Sequence, residues 1–348
     1  MKRQLVECIG EKEPSRAAKK QCSRHTSDSR LFRCFVLDSL RRVVTSSKNQ
    51  ARQIASEGTV ASSLLRLLKE NLHDNLTQRC GLSIISWITE ERCSRDVLVS
   101  EGGIEHLIAS MKVHSNDDIV QINGIVSLCW LTYSEDGFRT SDVNANNLIS
   151  IVTATMRRFL GNAMVVGNCI CFLIGTLLQQ ADNRSEAFCG GEITELTLRG
   201  MKIHSHSPKV QSNGLTLLRF LMILGTSDED SRQVASQVVA NLTVIESSMV
   251  QHPYHVDIQA DACGVLAYLA SESKEARTMI QQSMCVEAVL QSQVRHRSDV
   301  RLQQNALWFF SCFQRDEPTE AQLAFGAGLS VLETMAAELP LTEPSDAT

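Results

Sequence analysis

Met111-Lys-Val-His-Ser115, followed by Val120-Gln-Ile-Asn-Gly-Ile-Val-Ser-Leu-Cys-Trp-Leu131, is the stretch that decides the fold. It returns ninety residues later as Met201-Lys-Ile-His-Ser205 and Val210-Gln-Ser-Asn-Gly-Leu-Thr-Leu-Leu-Arg-Phe-Leu221. In both copies the Gln lies seven positions after the His, so the two stretches match in register. A return at fixed period is the sequence mark of a stacked repeat array.

Outward from this pair, six units align on one position of their last helix, usually a small residue: Gly81, Gly124, Ile170, Gly214, Ala262 and Ala306, spaced 43 to 48 residues apart. Each unit reads as a short polar helix, a glycine, an amphipathic helix, a polar turn and a longer apolar helix. In the second unit these are Arg92–Ser100, Gly102-Gly103, Ile104–His114, a turn at Ser115-Asn-Asp-Asp118, and Ile119–Thr132. The glycines, which recur as Gly58, Gly190-Gly191, Gly326 and Gly328, are expected to supply positive φ at sharp helix–helix turns. Ser115 or Asp117 is the expected N-cap of the third helix. Counted from the aligned residue, positions 0, +1, +4 and +7 are apolar and cluster within roughly 120° of arc. Such a unit cannot bury its own apolar face, so neighbours must stack into one continuous core.

Composition agrees. Six prolines and 5% aromatic residues in 348 favour helices over a β-sandwich. A net charge of −5 gives no global electrostatic case for nucleic acid. Twelve cysteines would fit a disulfide framework, but Met1-Lys-Arg-Gln opens no apolar leader. Several cysteines (Cys80, Cys129, Cys169, Cys171, Cys263, Cys312) fall in apolar helical stretches, so a reduced cytoplasmic or nuclear chain is the simpler reading. The most apolar run, Ala163 to Leu178, is shorter than the roughly 20 residues that span a bilayer. The expected organisation is a disordered polar tail over residues 1–28, an N-terminal capping helix over 29–46, and six repeats over 47–313. C-terminal capping helices over 314–339 and a tail over 340–348 complete it.

Three helices per unit, a repeat in the mid-forties, a glycine after the first helix and a long third helix resemble armadillo repeats. The Met-Lys-x-His and Val-Gln-x-x-Gly/Ala signatures are similar to the armadillo arrays of some leucine-rich-repeat kinases and to stand-alone armadillo proteins. The resemblance implies an all-α, right-handed superhelical α-solenoid of about six repeats with helical caps, with a HEAT-like solenoid as the alternative. It also implies that the third helices line a concave groove.

Six residues after the aligned position stand Trp87, Trp130, Thr176, Phe220, Tyr268 and Cys312. Four of these are large aromatics on a stripe roughly 150° from the core face. Beside them, at −1, lie Asn123, Asn213, Asp261 and Asn305, and Trp308 occupies a +2 position. Rings beside amides suit capture of a protein or peptide, whereas the competing reading has the rings packed between helices. Nuclear-import receptors of the importin-α type carry Trp at +2 and Asn at +6. Only Trp308 fits that pattern, so their basic-peptide ligand is not carried over.

His114, His204, His252 and His296 recur seven residues before the Gln-type position. Stacked repeats would hold them about 10 Å apart, too far to share a metal ion, so a role near the last helix carbonyls is expected. Arg95, Arg184, Arg232 and Arg277 recur near the start of first helices, where an ion pair or a carbonyl contact is expected. No phosphate-binding loop, nucleophile elbow, zinc-protease helix or Cys-x-x-Cys is present, so neither an enzyme nor a cofactor is expected. The reading is a non-catalytic scaffold or adaptor whose groove binds a protein partner. A docking or regulatory subunit of a GTPase or kinase is the first alternative. An RNA-binding solenoid ranks third, because the third helices carry few basic residues (Arg79, Arg219, Arg301).

Overall fold

The computed structural model describes residues 22–56, 58–132, 145–179, 190–223 and 228–313. Among these the regular structure is entirely helical, in seventeen helices, and none is long and apolar enough to cross a membrane. The chain divides into two compact units, Met1–Phe188 and Cys189–Thr348. Each is a stack of helical repeats, so the fold is an all-α solenoid.

In unit 1, α1 (Cys22–Ser46) leads into α2 (Lys48–Ala55), α3 (Gly58–Glu70) and α4 (Asn75–Ile88), the first complete repeat. The second comprises α5 (Arg92–Ser100), α6 (Gly103–Val113) and α7 (Asp118–Thr132), and α8 (Ala145–Arg158) and α9 (Ala163–Gln179) follow. The third helices stack directly, α4 on α7 and α7 on α9, and α1 packs on α4 where the third helix of a preceding repeat would stand. Leu37, Leu40 and Val44 of α1 are buried. The helix begins at Cys22, so residues 22–28, expected in the polar tail, are helical. They contain neither Pro nor Gly, and a helix extends past its apolar face until something stops it. The expected C-terminal caps and residues 1–21 lie outside the described residues.

Unit 2 holds α10 (Gly190–Ile203) with α11 (Pro208–Ile223), then the three helices α12 (Asp228–Val239), α13 (Leu242–Gln251) and α14 (Val256–Glu272). The final described repeat is α15 (Lys274–Gln281), α16 (Cys285–Arg295) and α17 (Val300–Phe313). Again third helices stack, α11 on α14 and α14 on α17.

The repeated signature turns out to be a set of packing and hydrogen-bonding parts. In five of the six third helices a Gln donates both amide protons to two carbonyls at the end of the second helix. Gln121 Nε2 reaches Met111 O at 2.8 Å and His114 O at 3.2 Å. Gln78, Gln211, Gln259 and Gln303 make the same pair of bonds ten and seven residues back. Each Gln thus satisfies carbonyls that the helix end leaves without intrahelical partners. Its Oε1 then accepts from the next repeat: from Ser110 for Gln78 (2.9 Å), from Thr155 for Gln121 (3.0 Å), from Ser248 for Gln211 and from Ser292 for Gln259. The clamp therefore joins second helix, third helix and following repeat.

The small aligned residue makes room for the second-helix Met. A Cβ on Gly124 would lie 2.7 Å from Met111 Cγ and Sδ, and one on Gly214 would lie 2.5 Å from Met201 Sδ. Gly81 faces Leu68 in the same way. Three of the four recurrent histidines reach past their own helix end. His114, His252 and His296 each donate from Nε2 to a turn carbonyl of the preceding repeat, namely Leu72 O, Ser205 O and Pro253 O, at 2.7–2.8 Å. A carbonyl can only accept, so Nε2 carries the proton.

Two sequence expectations need correction. Only Gly102 (φ +73°) has positive φ among the described residues. Gly58 instead opens α3, where a Cβ would press within 2.9 Å of Val97 Cγ2, so its role is space. The third unit aligns on Cys169, not Ile170. Every third helix follows a cap residue by a fixed count, as Gln121 N bonds Asp117 O and Gln303 N bonds Asp299 O. In α9 it is Val166 N that bonds Asn162 O, and Asn162 Oδ1 accepts from Met164 N and Val165 N. Val166 thus holds the Gln position, Cys169 the aligned one, and Gly175, not Thr176, the ring position. Thr176 is buried. Of the two expected caps for α7, Asp117 is the one used, accepting from Val120 N at 3.0 Å.

Candidate functional site

The third helices bury one side against their own second helices, which leaves the opposite stripe as the candidate site. In unit 1 that stripe is apolar. Along α7, Ile119, Ile122, Val126, Cys129 and Trp130 follow at helical spacing, and all are half-buried. Trp87 is half-buried on α4. On α9 the stripe continues with Ile174 and Gly175, half-buried, and with Met164, 61% exposed. Nothing lies within 4 Å of a Cβ built on Gly175, so the ring position there is open.

Trp130 has a structural neighbour. The guanidinium of Arg95 on α5 lies 5.9 Å from its ring centre, a cation–π distance. The same guanidinium donates to Thr89 O (3.0 Å) and Glu90 O (2.8 Å) at the end of α4. The expected carbonyl contact of the recurrent arginines is therefore real for Arg95, and for Arg277, which donates to Ala270 O at 2.8 Å. Arg232 pairs with Glu229 instead, and Arg184 lies outside the described residues. Trp130 keeps one side against this plug and the other on the half-exposed stripe. Asn123, half-buried, accepts from Ser86 Oγ of α4 at 3.3 Å, so its amide already links two third helices.

In unit 2 the same stripe is polar. Phe220 on α11, Tyr268 on α14 and Trp308 on α17 are half-buried, as is Asn213. The Tyr268 hydroxyl donates to Met222 O in the last turn of α11 at 2.8 Å, so the ring bridges stacked helices. Asn305, expected to face the groove, is instead buried, its Nδ2 donating to Ala260 O of α14 at 2.8 Å. The reason is the close approach of α17 to α14, which encloses a short amide at −1. Asp261, at the same −1 position of α14, is also buried. It accepts from Thr216 Oγ1 (2.9 Å), and the guanidiniums of Arg301 (3.3 Å) and Arg219 (3.7 Å) flank its other oxygen. Arg301 also pairs with Asp257 at 2.6 Å. Burial pushes the Asp261 carboxyl up from its ordinary range, against the opposing pull of Thr216 and the two arginines. Gly264 leaves the space these side chains cross, since a Cβ there would meet Asn305 Nδ2 at 3.2 Å and Arg219 Nε at 3.4 Å.

The ring ladder therefore splits by unit. Trp87 and Trp130 sit on an apolar, half-open surface, whereas Tyr268, Asn305 and Asp261 are engaged in holding α11, α14 and α17 together. The sequence reading missed the apolar run Ile119-Ile122-Val126. A period of three to four on the side opposite Gly124 and Leu128 was the available signal.

Among the described residues, no three His, Cys, Asp or Glu side chains are grouped to hold a metal ion. Burial among apolar neighbours pushes the Cys263 thiol up to about 12, far from a reactive thiolate. No protein-family model matches this chain, and comparison with curated proteins returns no match.

Proposed function

We propose that this chain is a non-catalytic protein-binding scaffold of the armadillo type, and that the third-helix face of unit 1 takes the partner. One observation carries this reading. Ile119, Ile122, Val126 and Trp130 line up along one side of α7, half-open to solvent, beside Trp87 of α4. A helix in a stacked repeat buries its apolar face against its neighbours. A second apolar stripe, on the side its own second helix leaves free, serves contact with something else. Large rings and branched aliphatic groups supply anchoring area at low conformational cost. The partner is a polypeptide, because the stripe follows the helix axes and offers rows of shallow contacts with amides at its edge. The armadillo assignment is supported by three helices per repeat, a glycine in left-handed conformation at 102, and long third helices that stack on one another.

Affinity capture with mass spectrometry tests the reading, comparing wild type with Trp87→Ala/Trp130→Ala and with Val126→Asp. Helical circular dichroism must be equal in all three. Partners lost from both folded variants are the expected result. Retention of every partner by both would remove this face from the function.

A further inference from the structure

Among the described residues, unit 2 leaves a second surface open, on the second-helix side and away from the third-helix stripe. Tyr254, 82% exposed, is the most exposed large hydrophobic residue described, and Val250 and Val294 are 64% and 60% exposed. Glu287, Leu290, Gln291, Val294 and Arg295 of α16 line a shallow depression beside them. At 100° per residue these five cover roughly 140° of the helix. The Arg295 guanidinium lies 5.3 Å from the ring centre of Tyr254, which ties the stripe of α16 to the turn after α13.

The charges on this stripe are bipolar. Glu287 is exposed near the start of α16, where its carboxylate accepts from Gln291 Nε2 at 2.8 Å. Arg295 and Arg297 are exposed at the other end. Glu287 and Arg295 are equally distant from Gln291, four residues on either side. A twofold axis through Gln291 therefore sets Glu287 of one copy opposite Arg295 of the other, twice, with Val294 just inside each pair. A parallel arrangement would set like charges together. An isologous contact requires such self-complementarity.

We propose that a second copy of this chain docks here, α16 antiparallel to α16 across a twofold axis at Gln291, forming a homodimer. The contact uses residues of unit 2 and none of the third-helix face of unit 1.

Sedimentation velocity across about 1 to 100 µM, a range that brackets typical dissociation constants of modest interfaces, tests the contact. Wild type is expected to shift from monomer to dimer with concentration. Glu287→Arg and Arg295→Glu alone each place like charges across the axis and should weaken association by about tenfold or more. The double reversal restores the opposite pairing and should recover most of the wild-type association. Val294→Asp should abolish it, with unchanged circular dichroism. A wild type that stays monomeric overturns the proposal and assigns the stripe to a different protein or to the chain's own residues 314–348. A dimer that ignores both single reversals, or that the double reversal fails to restore, overturns it equally.

Discussion

The third-helix faces of the two units use the same positions for opposite ends. In unit 1 the stripe of α7 is aliphatic and half-open, and its one polar member, Asn123, makes a single 3.3 Å bond. In unit 2 the stripe of α14 is closed by Asp261, Thr216, Arg219 and Arg301, with Gly264 kept free of a side chain to admit them. A solenoid repeats its backbone, not its surface. One repeat position can be a lock between neighbours or a surface for a partner, and residue type at −1, +2 and +6 decides which.

Acid should separate the units most. His106 in unit 1 is buried, and its Nε2 meets Gln78 Oε1 at 3.2 Å. Because Gln78 spends its amide protons on Leu68 O and Asn71 O, its oxygen accepts, and the imidazole is the neutral Nε2–H form. Burial, assisted by the charge of Lys69, holds His106 down at about 4. The unfolded chain takes up this proton near 6.5, so the native state binds fewer protons between those values. The contribution is complete above the unfolded value, and about 3 kcal/mol is lost by the time pH falls below the folded one. Asp261 has the opposite sign. Its folded pKa is raised, so its contribution is fully present below 3.8 and is lost as pH rises through the folded value. On acidification these two groups weaken unit 1 and strengthen unit 2. Hydrogen exchange at pH 7 and pH 4.5, with His106→Gln as control, reads the difference. Equal behaviour of α6 in wild type and control would refute it.

Asp261→Ala and Asn123→Ala compare the two −1 positions directly. The first strands two guanidiniums and the Thr216 hydroxyl. With Arg219 and Arg301 partly hydrated, the cost is about 2 kcal/mol. The second removes one long, half-exposed bond and should cost about 0.5 kcal/mol. Urea unfolding followed by Trp308 fluorescence for the first, and by Trp87 and Trp130 for the second, measures both. Comparable losses would mean that the unit 1 face is a lock as well.

The glycines give the smallest and sharpest contrast. Gly175→Ala meets open space inside α9 and should gain about 0.5–1 kcal/mol from helix propensity alone. Gly264→Ala must displace Asn305, which Ala260 O pins in place, and should lose about 0.5 kcal/mol despite the same propensity gain. Thermal melts of opposite sign are expected, and a shared sign would remove the packing argument at Gly264.

Several features were legible in the chain because they are local and repeated. The 3.6-residue period of Gly124, Ile125, Leu128 and Leu131 marks the core side. The Met-to-His and His-to-Gln spacings mark the turns, and Asp117 marks a helix start. The misplacement of the third unit came from leaning on Gln and Gly, which Val166 and Cys169 replace. Asn162, four residues before Val166 as Asp117 is before Gln121, would have corrected it from sequence.

Amino-acid order alone determined that this protein is a stack of helical repeats, which sides of its helices form the core, and where each repeat turns. Those properties depend on residues a few positions apart. Only tertiary structure decided that the Gln, Met and His of the signature are inter-helix fastenings, that Asn305 and Asp261 are enclosed, and that Trp87 and Trp130 remain half-open. These depend on groups on other helices, thirty or more residues distant for Ser110 on Gln78, Arg95 against Trp130 and Arg301 on Asp261. The pairing of stacked helices brings them together, and no local periodicity encodes which side chain will meet them.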